Sequence, residues 1–274
     1  MKKFADMHMH TVHSDGRLSV KEVFERAQEK NLSAIIITDH DCFTGFEESK
    51  YYSEKTGIET ILGSEISTNH RGKDVHILAY GFDQKHRMLL SQMNRICDDR
   101  NVRAEKICEK LNNQGINILY EDVLAEANGG NIGRPHIARV LIRMGVVSHI
   151  QEAFDKYLSD HARSYVPKYK FDTKRAIEMI NNAGGVSVVA HIGRYFSFKR
   201  ISEFTQWGLK GIEIYHPSHT PEMREKLSSY VEEHDMVKTG GSDFHELGTF
   251  TDLGKQRVPY SYYENLLNQF KDVV

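Results

Sequence analysis

Cysteine is scarce in this sequence of 274 residues, which contains only Cys42, Cys97 and Cys108. An odd number of cysteines without a C-x-x-C pair argues against a disulfide framework and against zinc bound by thiolates. Cys97 and Cys108 keep helical spacing with neighbouring apolar residues, so we expect them in a core rather than as reactive thiols. Any metal ion is therefore expected to be bound by histidine and carboxylate side chains.

Long apolar runs and a strong net charge are also absent. No stretch approaches the roughly 18 apolar residues that a membrane-spanning helix requires, so no membrane association is expected. The two lysines near the N-terminus are not followed by the apolar segment of a secretory signal, which predicts a cytoplasmic protein. The formal net charge of −2 provides no overall attraction to nucleic acid, so any recognition of phosphate must be local. No segment indicates a stable protein partner.

Several common catalytic motifs are missing. The sequence has no G-x-S-x-G turn for a nucleophilic serine, and none of its cysteines lies in a convincing Cys-His context. It also has no G-x-x-x-x-G-K-[ST] loop, which would bind the phosphates of a nucleoside triphosphate. These absences argue against a nucleophile triad and favour metal-dependent chemistry.

Short segments rich in Ile and Val alternate with longer amphipathic segments, a pattern typical of β-α units and a mostly parallel sheet. The seven predicted strands lie at residues 3–10, 33–40, 59–65, 75–82, 185–191, 211–216 and 236–243. Ser19 and Glu22 form a capping box before one predicted helix, and Thr220 with Pro221 begins another. The chain is long enough for one large α/β barrel.

The stretch from 84 to 167, between the fourth and fifth predicted strands, has several helical patterns and no convincing strand. We therefore expect a barrel domain formed by residues 1–83 and 168–274. Residues 84–167 are predicted to be an inserted helical subdomain.

Nearly every predicted strand ends in side chains that can bind a metal ion. These are His8, His10, Asp39, His40, Glu65, His191, Glu213, His216, Asp243 and His245, while His76 lies near the start of the fourth strand. Taken singly, each can be a helix cap, a turn residue or a buried histidine. The carboxyl ends of parallel strands meet on one face of a barrel, so their joint occurrence predicts a single site.

The number of these side chains exceeds what one metal ion can coordinate. Zinc takes about four ligands and manganese up to about six, whereas the predicted set has at least six imidazoles and three carboxylates. We therefore expect two or three divalent ions, which can be Mn²⁺, Zn²⁺ or Fe²⁺. Repulsion between the cations requires a bridging anion, and Glu65 is the natural candidate.

These motifs resemble those of the polymerase and histidinol phosphatase (PHP) superfamily of metal-dependent phosphoesterases. DMHMHT with the following SDG is similar to the first motif of this family, and TDHD is similar to the second. GSEIS with VHILAYG resembles the third region, and VVAHIGR and GGSDFH resemble the last two. The resemblance implies a distorted (β/α)₇ barrel, in agreement with the seven predicted strands. Val20 and Ile192 stand where the family often has proline, but neither position supplies a ligand.

The resemblance also implies which side chains bind the ions. The implied ligands of a first ion are His8, His10, Glu65 and Asp243. Those of a second ion are Asp15, His40 and His245. Those of a third ion are His76 and His191, with Glu65 as a bridge. His13 is expected to lie outside the ligand set.

Within the family, GRPHIAR, IEIYH and HIGR resemble the nucleoside 3′,5′-bisphosphate phosphatases, a subgroup that includes enzymes that trim the 5′ ends of short RNA. The resemblance implies substrate contacts by Arg134, His136, Arg194 and His216, and catalytic roles for His216 and Arg194. Arg134 also precedes a predicted helix whose N-terminus can bind an anion. The expected reaction is hydrolysis of a phosphate monoester of a small nucleotide by metal-activated hydroxide. The most favoured bond is that of the 3′-phosphate of a nucleoside 3′,5′-bisphosphate.

Other functions stay open at this point. A 5′-3′ exonuclease acting on short RNA or DNA oligonucleotides, or a histidinol-phosphate phosphatase, would share the same metal core. An amidohydrolase-type barrel also begins with H-x-H, but it usually needs a bridging lysine carbamate where this sequence has Glu65. A non-catalytic metal-binding or polymerase-accessory module is the alternative outside enzyme classes.

Overall fold

The computed structural model describes residues 2–193, 197–248 and 251–270. Within these ranges the protein has a mixed α/β fold with eight strands, ten α-helices and one π-helical segment. The strands are β1 Phe4–Asp6, β2 Ala34–Ile35, β3 Gly63–His70, β4 Lys73–Tyr80, β5 Val186–Val189, β6 Gly211–Tyr215, β7 Val237–Gly240 and β8 Val258–Pro259. The helices are α1 Val20–Glu29, α2 Phe46–Thr56, α3 Arg87–Asn112, α4 Tyr120–Ala127, α5 Arg134–Arg143, α6 Ile150–Ala153, α7 Thr173–Asn182, α8 Phe198–Gln206, α9 Pro221–Glu233 and α10 Tyr260–Asn268; the π-helical segment is Phe154–Leu158.

The strands form two sheets, with the orders β2-β1-β8 and β3-β4-β5-β6-β7. β1 runs parallel to β2, and β5, β6 and β7 run parallel to one another. β4 is antiparallel to both β3 and β5, so the predicted, mostly parallel arrangement is wrong for this strand. Arg71 and Gly72, both with positive φ, form the tight turn between β3 and β4, and this turn leaves no room for a crossover helix.

The β3-β4 hairpin changes the position of two predicted site residues. The predicted strand at residues 59–65 was expected to end at Glu65, but β3 begins at Gly63 and continues past Glu65 to His70. Ser67 pairs with His76 across the hairpin, so Glu65 and His76 lie on the same face of this hairpin. β8 was not predicted, because two residues are too short for a recognisable strand pattern.

Backbone hydrogen bonds join the two sheets on two sides. The residues after β1 bond to the end of β7 and to the residues that follow it, as in the 3.0 Å bond from the Met7 N–H to the Gly240 carbonyl. The residues after β2 bond to β3, as in the 2.9 Å bond from the Asp41 N–H to the Glu65 carbonyl. These bonds place the segments after β1, β2 and β7 next to β3.

The helices begin where local sequence favours a start. The capping box of Ser19 and Glu22 precedes α1, and the side chain of Thr220 accepts the N–H of Met223 at the start of α9, as predicted. Pro221 is the first residue of α9. In the described part of the chain, none of the helices is both long and apolar enough to cross a membrane.

Apolar side chains form four buried clusters. Three of them lie among the strands and the helices that pack on them. The fourth contains Cys108 and lies within residues 104–158, among helices α3 to α6 and the π-helical segment. Residues 84–167 contain helices and no strand. These helices therefore have an apolar core of their own.

Candidate metal centre

The structure brings the nine predicted metal ligands together. Three groups of side chains offer ligand atoms that lie within 4.8 Å of one another, and each group can hold a metal ion. The groups are His8, His10, Glu65 and Asp243; His10, Asp15, His40 and His245; and His40, Glu65 and His76. The first group has the same members as the implied ligand set of the first ion. His191 is absent from these groups but lies beside the third one.

Glu65 lies at the centre of this cluster and is fully buried. Its Oε2 is 3.2 Å from the Nε2 of His8 and 3.2 Å from the Nε2 of His10. Its Oε1 is 2.7 Å from the Nδ1 of His76 and 2.8 Å from the Nε2 of His191. Burial by itself raises the pKa of Glu65, but the surrounding imidazoles hold this pKa well below its usual range. The two oxygens therefore face different sets of imidazoles, which is the geometry that a bridging carboxylate requires.

Asp15 occupies the rim of the cluster. Its Oδ1 is 3.3 Å from the Nε2 of His245 and 3.9 Å from the Nε2 of His40. The ring of His10 stacks on that of His245 with 4.1 Å between the centroids, and it lies 4.4 Å from the ring of His40. The loop after β1 therefore returns Asp15 to the same imidazoles that follow β2 and β7.

The ionisation of two neighbouring histidines differs because their partners differ. Burial lowers the pKa of His10, but hydrogen bonds to Asp243 and Glu65 outweigh burial and raise it to about 10. Burial lowers the pKa of His40 to about 3, and the nearby carboxylates Glu65 and Asp15 oppose this only in part. His40 is therefore neutral at pH 7, as a metal ligand must be, whereas His10 carries a proton that a cation would displace.

Unpaired buried atoms in this cluster fit bound cations. His10 Nδ1, His40 Nδ1 and Asp15 Oδ1 are buried and have no hydrogen-bond partner. Buried polar atoms normally have a partner, because leaving one without a partner costs about 1–3 kcal/mol. The three residues belong to one group of possible metal ligands. Imidazole nitrogen and carboxylate oxygen are both suitable donors for divalent transition metals.

The backbone around the ligands is strained in places. His191 and Asp243 have φ values of +25° and +51°, in the left-handed region that residues other than glycine rarely adopt. Gly241, just before Asp243, is needed because an added Cβ would lie 2.4 Å from the Cβ of His8. Such strain is common where a functional site fixes the side chains.

Two carboxylates that the sequence analysis listed only as possible metal ligands, Asp39 after β2 and Glu213 within β6, support the cluster. Asp39 accepts hydrogen bonds from the Thr11 N–H (2.7 Å), the Thr11 hydroxyl (2.7 Å) and the Ser14 hydroxyl (2.6 Å). Asp39 therefore holds the loop that leads to Asp15. Glu213 bonds to His8 and to the backbone of His191. Their position near the ends of predicted strands was the only signal available in the sequence.

A basic cavity of about 280 Å³ adjoins the cluster. Its lining includes the histidines and carboxylates Asp15, His40, Asp41, Asp74, His76 and Asp99, the cationic side chains Arg100, Arg103, Arg134 and Lys168, and the aromatic rings of Phe154 and Tyr169. Burial, together with the nearby Arg134 and Arg100, lowers the pKa of Arg103 to about 10. Burial also lowers the pKa of Lys168. These cationic side chains can attract an anionic ligand, although Arg100 and Lys168 already pair with Asp41 and Asp74 of the same lining.

The predicted substrate contacts differ in their surroundings. Arg134 lines the cavity, and its Nη1 donates to the Leu158 carbonyl at 2.8 Å and to Asp160 at 3.0 Å. His136 is buried, and its Nδ1 accepts the backbone N–H of Gly133 at 3.0 Å, so this nitrogen is already engaged. Arg194 lies outside the described residues.

His216 lies beside the cluster with a defined tautomer. Its Nδ1 accepts the backbone N–H of Ser218 at 3.1 Å, so the hydrogen of the neutral ring is on Nε2. This Nε2 is 3.3 Å from the Oδ2 of Asp243. His13 instead contacts Thr44 at 2.9 Å and belongs to none of the three ligand groups.

The clustered imidazoles and carboxylates next to a basic cavity define a metal-dependent phosphoesterase. The profile of the PHP domain matches residues 6–207, and the chain belongs to that family, as the motifs indicated. The 5′-3′ exoribonuclease of Haemophilus influenzae is 35% identical over 94% of this chain and 98% of its own length. The 3′,5′-nucleoside bisphosphate phosphatase of Chromobacterium violaceum is 31% identical over 89% of this chain and 87% of its own length. A structure from Bifidobacterium adolescentis, assigned as a metal-dependent phosphoesterase, has a TM-score of 0.91 and 33% identity, and covers 97% of this chain and 96% of that chain.

Proposed function

We propose that this phosphoesterase removes the 3′-phosphate of a nucleoside 3′,5′-bisphosphate. The observation that carries the proposal is that Asp15, His40 and His76 belong both to the possible metal sites and to the wall of the basic cavity. A ligand with two phosphates can therefore place one of them at the metal centre and the other among the arginines. In the structure Arg134 pairs with Asp160 at 3.0 Å, so a second phosphate would compete with this carboxylate for the guanidinium group.

The proposed metal centre holds two or three divalent ions, with the nine ligands implied by the motifs and Glu65 as the bridge. His and carboxylate ligands suit Mn²⁺, Zn²⁺ and Fe²⁺. Such ions lower the pKa of a bound water from about 15.7 to about 7 and offset the charge that develops on a transferring phosphoryl group. Asp243 and His10 are hydrogen-bonded at 3.1 Å, which already brings residues of two distant motifs together.

The chain's own residues then bind and orient the substrate. Arg134 can bind the second phosphate, because guanidinium groups pair with phosphate oxygens through two parallel hydrogen bonds. Lys168 and Arg103 would add charge to the same subsite. The Nε2–H of His216 lies beside the ligand Asp243 and can stabilise the leaving 3′-oxygen by donating a hydrogen bond to it. We retain Arg194 as a further proposed contact, and we give His136 the role of holding the start of α5 through its bond to the Gly133 N–H.

A second candidate is a 5′-3′ exonuclease acting on short oligonucleotides. Release of a 5′-nucleotide from such a strand breaks the bond between phosphorus and the 3′-oxygen of a 5′-phosphorylated nucleoside. Hydrolysis of a nucleoside 3′,5′-bisphosphate at its 3′-phosphate breaks the same bond. The two reactions differ only in whether the attacked phosphorus carries another nucleoside. The name of the Haemophilus influenzae relative favours this candidate.

For the architecture, we propose that the two sheets close into one distorted barrel formed by residues 1–83 and 168–274. The backbone hydrogen bonds from Met7 to Gly240 and from Asp41 to Glu65 support this proposal, because they join both sheets on two sides. Residues 84–167 would be the inserted helical subdomain, and their separate apolar cluster supports that division.

The proposal is tested by steady-state kinetics of the Mn²⁺-loaded protein. The substrates are adenosine 3′,5′-bisphosphate, adenosine 3′-monophosphate, histidinol phosphate, and a short RNA with either a 5′-phosphate or a 5′-hydroxyl. We expect kcat/KM for the bisphosphate to exceed that for the 3′-monophosphate by at least about tenfold, because a charged hydrogen bond contributes about 1.5–3 kcal/mol. Equal kcat/KM values for these two nucleotides would contradict a role for the second phosphate in substrate recognition. A clear preference for 5′-phosphorylated RNA over the bisphosphate would favour the exonuclease.

A further inference from the structure

Glu213 is a fully buried carboxylate in the middle of β6 that belongs to none of the three groups of possible metal ligands. Each of its oxygens accepts one short hydrogen bond. Oε1 accepts from the Nδ1 of His8 at 2.8 Å, and Oε2 accepts from the backbone N–H of His191 at 2.6 Å. One side chain therefore contacts residues from the first and the fifth strand segments.

The bond to His8 determines which nitrogen of that ring can bind a metal. An ionised carboxylate only accepts hydrogen bonds, so the Nδ1 of His8 must carry a hydrogen. In the neutral ring, the lone pair is then on Nε2. This nitrogen lies 3.2 Å from Glu65 and 3.4 Å from Asp243, where the first group of ligands meets.

The bond to His191 acts on backbone conformation. His191 has a φ of +25°, which is unfavourable for a residue with a side chain. The carboxylate of Glu213 holds the N–H of this residue. In this conformation the Nε2 of His191 lies 2.8 Å from the Oε1 of Glu65 and 3.2 Å from the Nδ1 of His76.

We propose that Glu213 is a positioning residue that couples two of the proposed metal sites by fixing the tautomer of His8 and the backbone of His191. The inference rests on the proposed metal centre. Carboxylates that hold a metal-binding histidine typically change metal affinity by about 10- to 100-fold when they are replaced. The site of Asp15, His40 and His245 has no bond to Glu213 and should not depend on it.

Two substitutions distinguish the effect of the position of the Glu213 carboxylate from the effect of its charge. Glu213→Gln keeps the size but offers only one acceptor oxygen, so either His8 or His191 faces an NH₂ group. Glu213→Asp keeps the charge and both acceptors but is shorter by one methylene group, about 1.5 Å. The control is Glu225→Gln, at an exposed position of α9.

Binding of Mn²⁺ is measured by chelator competition with the full-length chain. In both Glu213 variants, the Mn²⁺ affinity of the two coupled sites is expected to fall about 10- to 100-fold. The affinity of the site of Asp15, His40 and His245 should stay unchanged. Activity of these variants should rise with Mn²⁺ at concentrations that already saturate the wild type. Curves that superimpose on the wild type in both variants would overturn the inference. A loss in the Gln variant alone would attribute the effect to charge and would also overturn it.

A measurement on the unaltered protein makes the test independent of whether the variants fold. Long-range ¹H–¹⁵N spectra of the Zn²⁺-loaded wild type report the tautomer of each histidine. We expect His8 to carry its hydrogen on Nδ1, and a hydrogen on Nε2 would overturn the inference. An inactive wild type with the expected tautomer would refute the proposed function while the role of Glu213 stands. An active wild type with the opposite tautomer would refute only that role.

Discussion

Asp41 and Arg100 form an ion pair between the loop after β2 and helix α3, in which Asp41 is buried and Arg100 is partly exposed. The Nε of Arg100 donates to the Oδ2 of Asp41 at 3.0 Å, and its Nη1 donates to the carbonyl of Ile132 at 3.0 Å. Asp41 is next to His40, so this pair ties one of the proposed ligand loops to the helices of residues 84–167. The two parts of the chain are therefore mechanically connected at the site.

Loss of Arg100 should destabilise the fold. Arg100→Met leaves Asp41 buried without its cation, and breaking a buried pair from one side costs about 3–5 kcal/mol. Urea unfolding followed by circular dichroism measures this change. Arg87→Met, at an exposed position of the same helix, is the control and should change the free energy of unfolding by less than about 0.5 kcal/mol. The double variant Arg100→Met with Asp41→Asn should lose less free energy of unfolding than the two single variants lose together. A loss equal to the sum of the two would argue against the ion pair.

Replacement of Arg134 should weaken recognition of the second phosphate. Arg134→Gln is expected to lower kcat/KM for adenosine 3′,5′-bisphosphate about 10- to 100-fold, from the loss of a charged hydrogen bond. The kcat/KM for adenosine 3′-monophosphate should change much less. Arg143→Gln serves as the matched control, because Arg143 lies on the same helix, is half exposed and pairs with Glu126. Similar losses for both nucleotides would place Arg134 outside the phosphate subsite.

Asp243 should be essential for turnover. Asp243→Asn keeps the shape and tolerates the left-handed backbone, but it removes the negative charge from the first ligand group. We expect kcat to fall by at least about 100-fold, since metal ions supply several kcal/mol of transition-state stabilisation. Metal content measured by mass spectrometry should fall as well. Asp235→Asn, exposed and also left-handed, should behave like the wild type. Unchanged kcat in the Asp243 variant would remove the proposed mechanism.

The thiol of Cys108 should react slowly with alkylating reagents. Burial raises the pKa of Cys108 from 9.0 to about 11, so the reactive thiolate is about 100-fold less populated than in a free cysteine at pH 8. The pKa of Cys108 rises because burial disfavours the charged thiolate. The rate of alkylation should therefore increase with pH up to about 11. Peptide mass spectrometry after iodoacetamide treatment measures this rate. Unfolding in urea should restore the ordinary rate, and equal rates in folded and unfolded protein would contradict the prediction.

The structure places the predicted metal ligands close together, whereas it differs from the sequence prediction in the strands that carry them. His8, His10 and Glu65 were found because local motifs place polar side chains directly after apolar segments. The direction of β4 was not found, because an isolated strand pattern has a period of two whichever way the strand runs. His76 still falls beside Glu65, since the β3-β4 hairpin reverses the chain.

The basic cavity was the least predictable part of the site. Arg100, Arg103 and Lys168 lie on helix α3 and on the segment before α7, at positions that resemble ordinary solvated charges in the sequence. Only Arg134 was singled out, through its position at the start of a helix. Convergence of the four cations depends on how the helices of residues 84–167 pack against the strands.

The sequence by itself determined the chemical types available at the site, because imidazole and carboxylate side chains after apolar segments already specify divalent cations. It also determined the family, through several short motifs. Only the tertiary structure decided which of these groups lie close enough to share an ion and which ones hold others in place. Asp39 and Glu213 show the reason: whether a buried carboxylate joins a ligand group, holds a loop or orients a histidine depends on distances of a few ångströms between residues far apart in the chain.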